Sequence, residues 1–284
     1  MAPARVRRMK SPQTAALSPS RANDFRKCPL QFRLTVVDRI PQPPAPARER
    51  GTLVHSVLEQ LYDRQPHERT QQVATDMVGP TWDAMTTKDP QLEGQLFVDG
   101  LTREQFLDQA RTLVGSYFAL ENPVNLQPAH REEYIRTDVG DGLHIHGFID
   151  RVDVAPGGLV RLVDYKTGKA PNPAYLGPYL FQLRFYALAW RNLTGQAPKR
   201  LQLLFLKSEM TYTHDPSEDE LDATEDELML LWGQIEQAAR AQDFQPRRSK
   251  LCDWCDVRSL CPLFDGTTPP IPSEGIDRLL SMHA

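Results

Sequence analysis

Two aspartates and a lysine, Asp150, Asp164 and Lys166, lie within one stretch, Gly147 to Gly168, that reads as two strands around a glycine turn. Successive strand side chains alternate between faces, so Asp164 and Lys166 project together while Val163 and Tyr165 project the other way. Pro156-Gly157-Gly158 supplies the turn. A three-residue loop there pairs Ala155 with Leu159, Val152 with Leu162 and Asp150 with Asp164, whereas a two-residue turn on Gly157-Gly158 would slip the register by one. Like charges directly opposite on a sheet are destabilising. Two facing carboxylates therefore ask for a cation, and a divalent ion answers that, with Lys166 beside it as a second positive group.

The cysteines form a second chemical set. Cys252, Cys255 and Cys261 are spaced C-x2-C-x5-C, and Cys28 is the only other cysteine. In a cytosolic protein this usage argues against structural disulfides. Four thiolates make one closed metal site, either tetrahedral zinc or an iron–sulfur cluster, and the spacing leaves both open.

These residues need elements to hold them. The 284 residues, 40% of them hydrophobic, suffice for a sizeable core. No apolar run approaches the roughly 18 residues of a membrane helix. No signal-peptide core follows the basic N-terminus, so a soluble, cytoplasmic protein is expected. A net charge of −4 argues against non-specific coating of nucleic acid, and any grip on it must be local. The acids concentrate in Asp215 to Glu227, a solvated loop and helix start.

Along the chain, residues 1–17 read as a disordered basic tail. Ser18 or Ser20 caps a short helix leading to Cys28-Pro29, around which Arg21, Arg26, Lys27 and Arg33 alternate with Phe25 and Phe32. That cluster suits a nucleic-acid backbone, or is simply the wet face of the helix. A Pro-rich linker, Ile40 to Gly51, precedes a helix whose Val54, Val57, Leu58, Leu61 and Tyr62 form one apolar face, with His55 on its border. Residues 64–130 read as a helical insertion, its best element opening at the capping box Thr102-x-x-Gln105. A strand follows near Glu132 to Thr137. Glu133 is a candidate extra acid, and His144 and His146 alternate in phase with Asp150. Gln182 and Tyr186 share one face of the next helix. A strand at Leu201 to Lys207 and a helix opening at Thr224-x-x-Glu227 complete one domain over 18–265, with 266–284 as a tail.

Five motifs occur in order: Cys28-Pro29, GTLVH at 51–55, GFIDRVD at 147–153, VDYKTG at 163–168 with Gln182-x-x-x-Tyr186, and the C-x2-C-x5-C group. Together they resemble the RecB-like branch of the PD-(D/E)xK nucleases. The cysteine pattern is similar to that of the AddB-type and CRISPR-associated members. The resemblance implies an α/β, restriction-endonuclease-like core with a central mixed sheet flanked by helices. It also implies a [4Fe–4S] cluster, rather than zinc, joining the N- and C-terminal parts. On the chain-entropy account, such a clamp is worth about 4 to 5 kcal/mol.

The activity so implied is a metal-dependent DNA exonuclease acting on single-stranded ends in repair or recombination. His55, Asp150, Asp164 and the carbonyl of Tyr165 would ligate Mg²⁺, or Mn²⁺ given the softer imidazole. Lys166 would position or deprotonate the attacking water, with Gln182 and Tyr186 supporting it. No G-x-x-x-x-G-K-[ST] occurs, so unwinding would fall to a helicase partner. The alternatives are a non-catalytic DNA-end-binding module of a helicase–nuclease complex, a CRISPR-adaptation nuclease, a hydrolase of another phosphodiester, and a zinc-stabilised interaction protein.

Overall fold

The computed structural model describes residues 15–98 and 100–283. Of the expected tail, residues 1–14 lie outside the described residues. Its end is built into the fold: Leu17 is buried, donates to the carbonyl of His144 (2.8 Å) and accepts from the amide of His146 (2.9 Å).

Ten α-helices are described: α1 (Pro19–Lys27), α2 (Pro29–Phe32), α3 (Pro46–Leu61), α4 (Gln71–Asp76), α5 (Val78–Lys88), α6 (Leu92–Leu96), α7 (Arg103–Leu120), α8 (Gly177–Thr194), α9 (Glu218–Arg240) and α10 (Ser273–Leu280). Five strands, β1 (His130–Val139), β2 (Leu143–Val154), β3 (Val160–Lys166), β4 (Arg200–Phe205) and β5 (Met210–His214), form one sheet in sequential order. All neighbours run antiparallel except β3 and β4, which are parallel. A parallel step needs a crossover, and α8 provides it. Buried on most of its circumference, from Phe181 to Trp190, α8 reads apolar all round.

Strand alternation sorts two cores. Leu162 of β3 and Leu201, Leu203 and Phe205 of β4 enter a core with α8 and α9. Val163 and Tyr165 of β3 and Leu204 of β4 enter the other, with α3, α5 and α7. The expected opposition of Val163 and Tyr165 to Asp164 and Lys166 is thus present.

Several elements differ from expectation. The linker shortens because Pro46 sits in the first turn of α3, where its missing N–H costs nothing. Helix α9 is capped by Ser217, whose side chain accepts from the amide of Glu220 (3.2 Å). Thr224 lies inside that helix, its hydroxyl donating to the carbonyl of Glu220. The short, mostly exposed β5 was not foreseen. Residues 266–284, expected as a tail, include α10, with Ile276 and Leu279 buried. The basic cluster around α1 disperses: Phe25 and Phe32 are buried, Arg33 pairs with Asp38, and Arg26 pairs with Glu227 (2.9 Å).

Candidate active site

The second hairpin has the expected register, with Val152 opposite Leu162 and the amide of Ala155 donating to the carbonyl of Leu159 (2.9 Å). Regular pairing ends at Arg151–Val163, one step short of the acids. There the amide of Tyr165 donates instead to Oδ2 of Asp150 (2.6 Å). The first hairpin, β1 to β2, also breaks at this level. Its pairs run Arg131–Arg151 and then Glu133–Ile149, passing over Glu132 and Asp150, and Glu132 has a φ of +44°. A bulky residue at positive φ is strained. The break also resets the alternation of β2, where Ile149, Asp150, Arg151 and Val152 are buried in succession. Neither His144 nor His146 is among the residues gathered at the acids. His144 pairs with Asp138 (2.5 Å).

Helix α3 brings His55 over these acids. Its Nε2 donates to the carbonyl of Tyr165 (3.0 Å), while Nδ1 lies 3.3 Å from Asp150 Oδ1 and 3.8 Å from Glu132 Oε1. One ligand atom from each of His55, Glu132 and Asp150 falls within 4.8 Å of the others. The additional acid is thus Glu132. Glu133 faces His130 (3.3 Å).

Beside this triad runs a hydrogen-bonded chain. Lys166 Nζ lies 2.7 Å from Asp164 Oδ2 and donates to Oε1 of Gln182 (2.8 Å). The amide nitrogen of Gln182 reaches Asp164 Oδ1 and the hydroxyl of Tyr186, each at 3.1 Å. Gly147 makes room for Tyr186, since a Cβ there would come within 2.5 Å of its ring.

The electrostatics follow from burial and pairing. Burial, with Asp150 adding repulsion, outweighs Lys166 and raises the Asp164 carboxyl to about 6. Burial pushes Asp150 up as well, but His55 and Lys166 prevail and hold it below the usual carboxylate range. Burial alone would lower Lys166; Asp164 reverses this and keeps it a firm cation. Buried carboxylates this close, one of them held back from ionising, form a set of hard oxygen donors that a divalent cation fits.

A buried arginine that the sequence reading left unassigned anchors the arrangement. Arg151 donates to Glu121 (2.7 and 2.9 Å), the Tyr165 hydroxyl (2.8 Å) and the hydroxyls of Tyr62 and Tyr117. It thereby ties β2 to β3, to the C-terminal ends of α3 and α7, and so to the helix of His55. The open side of the site is a cleft of about 590 Å³ lined by Arg48, Gly51, His55, Glu132, Phe148 and Thr167.

The sequence profile of the PD-(D/E)XK nuclease superfamily matches residues 16–262. The chain belongs to this superfamily. PD-(D/E)XK nucleases use divalent metals, which accords with the acids and histidine above. The fold is correspondingly restriction-endonuclease-like, and the crystal structure of a protein from Eubacterium rectale described as a candidate exonuclease superposes with a TM-score of 0.57. That likeness covers 90% of this chain and 91% of the other at 14% identity. Among curated proteins, the gene 69 proteins of mycobacteriophages D29 and L5 are 27% and 25% identical. Each alignment covers 87% of this chain and 96% of the phage protein.

Away from the acids, Cys28, between α1 and α2, lines one cavity with Cys252, Cys255 and Cys261. None of the four is in a disulfide. The amides of Arg247 and Ser249 donate to the sulfurs of Cys28 and Cys252, each at 3.4 Å. No helix among the described residues is long and apolar enough to cross a membrane.

Proposed function

We propose that this PD-(D/E)XK nuclease is a RecB-like exonuclease that degrades DNA from single-stranded ends. The observation that carries the reading is the juxtaposition of His55, Glu132 and Asp150 with the Lys166–Asp164–Gln182 chain at an open cleft. His55, Asp150, Asp164 and the Tyr165 carbonyl would hold Mg²⁺ or Mn²⁺, with Glu132 as the additional acid. When bound, the ion supplies charge neutralisation at the scissile phosphate and an activated water. Lys166 acts as a cation that steadies the developing negative charge, because Asp164 opposes the deprotonation a general base requires. Gln182 fixes the lysine's direction, and Tyr186 fixes Gln182.

The four cysteines hold a [4Fe–4S] cluster that joins the two ends of the fold. What supports this is that Cys28, from the N-terminal part, lines one cavity with Cys252, Cys255 and Cys261. Action in the cytoplasm, in repair or recombination and beside a helicase that unwinds duplex, completes the proposal.

The test is degradation of end-labelled single-stranded DNA with Mg²⁺ or Mn²⁺ by anaerobically purified protein, alongside Lys166→Ala. Wild type should shorten the strand from an end, and the variant should keep the cluster's visible absorbance without cutting. A colourless wild-type protein rules out the cluster. DNA binding without cleavage under either metal turns the reading to an end-binding module.

A further inference from the structure

The first hairpin presents a face that the acids do not use. From Glu132 and Asp150 it continues through the cross-strand pairs Tyr134–Phe148 and Arg136–His146. Phe148 is 51% exposed, and its ring lies 5.1 Å from that of Tyr134. It lines the cleft of His55 and also a second cavity of about 340 Å³.

Four arginines line that second cavity: Arg21 of α1, Arg39 in the turn after Val37, Arg136 of β1 and Arg278 of α10. They come from both ends and the middle of the described chain, so the fold has gathered them. Arg21 donates to the carbonyl of Ala16 (3.0 Å) and Arg278 to that of Val37 (2.8 Å). Those partners carry no charge. The acid acting on Arg278 is Glu274, on its own helix. Burial, and then repulsion from Arg39, holds both Arg21 and Arg278 below the ordinary arginine value. His146, also lining the cavity, is pushed down to about 4 by burial and by Arg21 and Arg136, and its buried Nδ1 has no partner. Arg21, Arg39 and Arg278 repel one another until an anion joins them, and arginine is the residue best shaped for phosphate.

The distance suits a strand. His146 and Asp150 are four positions apart, about 13 Å of extended chain, so one strand could touch both places within a few nucleotides. An exposed aromatic pair between them provides what single-strand binding sites use, a ring face for a base between backbone contacts.

We propose that the arginine cavity grips the phosphodiester backbone of the strand whose scissile bond lies at Asp150 and Asp164, with Phe148 stacking a base between the two places. This rests on the nuclease reading above and adds the path of its substrate.

The test is fluorescence anisotropy of labelled single-stranded DNA of about 16 nucleotides over a salt series, with Lys166→Ala protein so that nothing is cut. Each phosphate contact on a single strand contributes about 0.7 to the slope of log affinity against log salt. Arg39→Gln, which leaves the Arg278–Val37 bond in place, should lower that slope by about 0.7. Adding Arg278→Gln should lower it by about 1.4, with thermal unfolding checking that both variants fold. Phe148→Ala should weaken binding about 5- to 150-fold with the slope unchanged. A dinucleotide, too short to reach the cavity, should bind all the arginine variants alike. If the oligonucleotide binds but neither arginine change moves the slope, the cavity lies off the path while the nuclease reading stands. If inorganic phosphate binds and Arg39→Gln abolishes this without altering the oligonucleotide slope, the cavity is a free-anion site and the proposal fails. If Lys166→Ala protein binds no single strand and wild type degrades none, the nuclease reading and the proposal fall together.

Discussion

The two hairpins that share β2 are built alike and do different work. Each is closed by three residues rich in glycine, Gly140-Asp141-Gly142 between the paired Val139 and Leu143, and Pro156-Gly157-Gly158 between Ala155 and Leu159. Each loses regular pairing at the level of Asp150. In the second hairpin the opposed acids are compensated by Lys166 and by the amide of Tyr165. In the first, Glu132 turns to positive φ and His55 stands over both acids. The second hairpin is enclosed by helices on both faces, whereas the first keeps one face open. Chemistry concentrates in the enclosed hairpin, and the open one supplies access.

The comparison can be broken at several points. The largest effect should come from Arg151→Ala, which leaves buried Glu121 with only the longer Arg161 contact (3.4 Å) and unfastens the helix of His55 from the second hairpin. Loss of one partner from a buried ion pair costs about 3–5 kcal/mol. Chemical denaturation should show it, and an unchanged midpoint would mean that the network is ornamental to the fold. Next, Lys166→Ala should lower kcat about 10²–10³-fold, as loss of a fixed charge-stabilising group does, with Mn²⁺ binding by calorimetry retained. If Mn²⁺ binding is lost as well, the lysine is holding the metal carboxylates together.

Gly147→Ala drives a Cβ into the Tyr186 ring. Overpacking of this kind costs about 1–3 kcal/mol, and a smaller side chain at 186 should restore most of it in a double-mutant cycle. Additive losses would show that the ring is not what the glycine serves. The smallest effect separates the two neighbouring acids. Glu132→Gln should weaken Mn²⁺ binding about 10- to 100-fold, while Glu133→Gln should leave it unchanged. The reverse ranking would return the additional acid to the position expected from sequence.

That last pair shows what the sequence could and could not say. The three-residue turn Pro156-Gly157-Gly158 puts Asp150 opposite Asp164, because antiparallel register follows from loop length. The same reasoning applied to Gly140-Asp141-Gly142 sets Glu132, not Glu133, opposite Asp150. The signal was present and went unused. Other features left no such trace. A positive φ at a glutamate has no sequence signature, so the break in pairing at Glu132 and Asp150 could not be read from alternation. The start of α9 was misplaced because Ser217 and Thr224 both precede acids three residues on, and both satisfy the capping pattern. Cavities gathered from distant segments, such as that of Arg21, Arg39, Arg136 and Arg278, lie beyond any local pattern.

The first hairpin also meets both ends of the described chain. Leu17 bridges Ile145, and His283 bridges Leu143 two residues away. Contacts so distant in sequence close late, because loop entropy must be overcome before they contribute. On a ribosome, β2 is made well before Arg278 and His283 emerge. A nascent chain therefore carries its acids well before it carries the arginine cavity. On the proposed reading, the hold on a strand joins the acids only once α10 has been made.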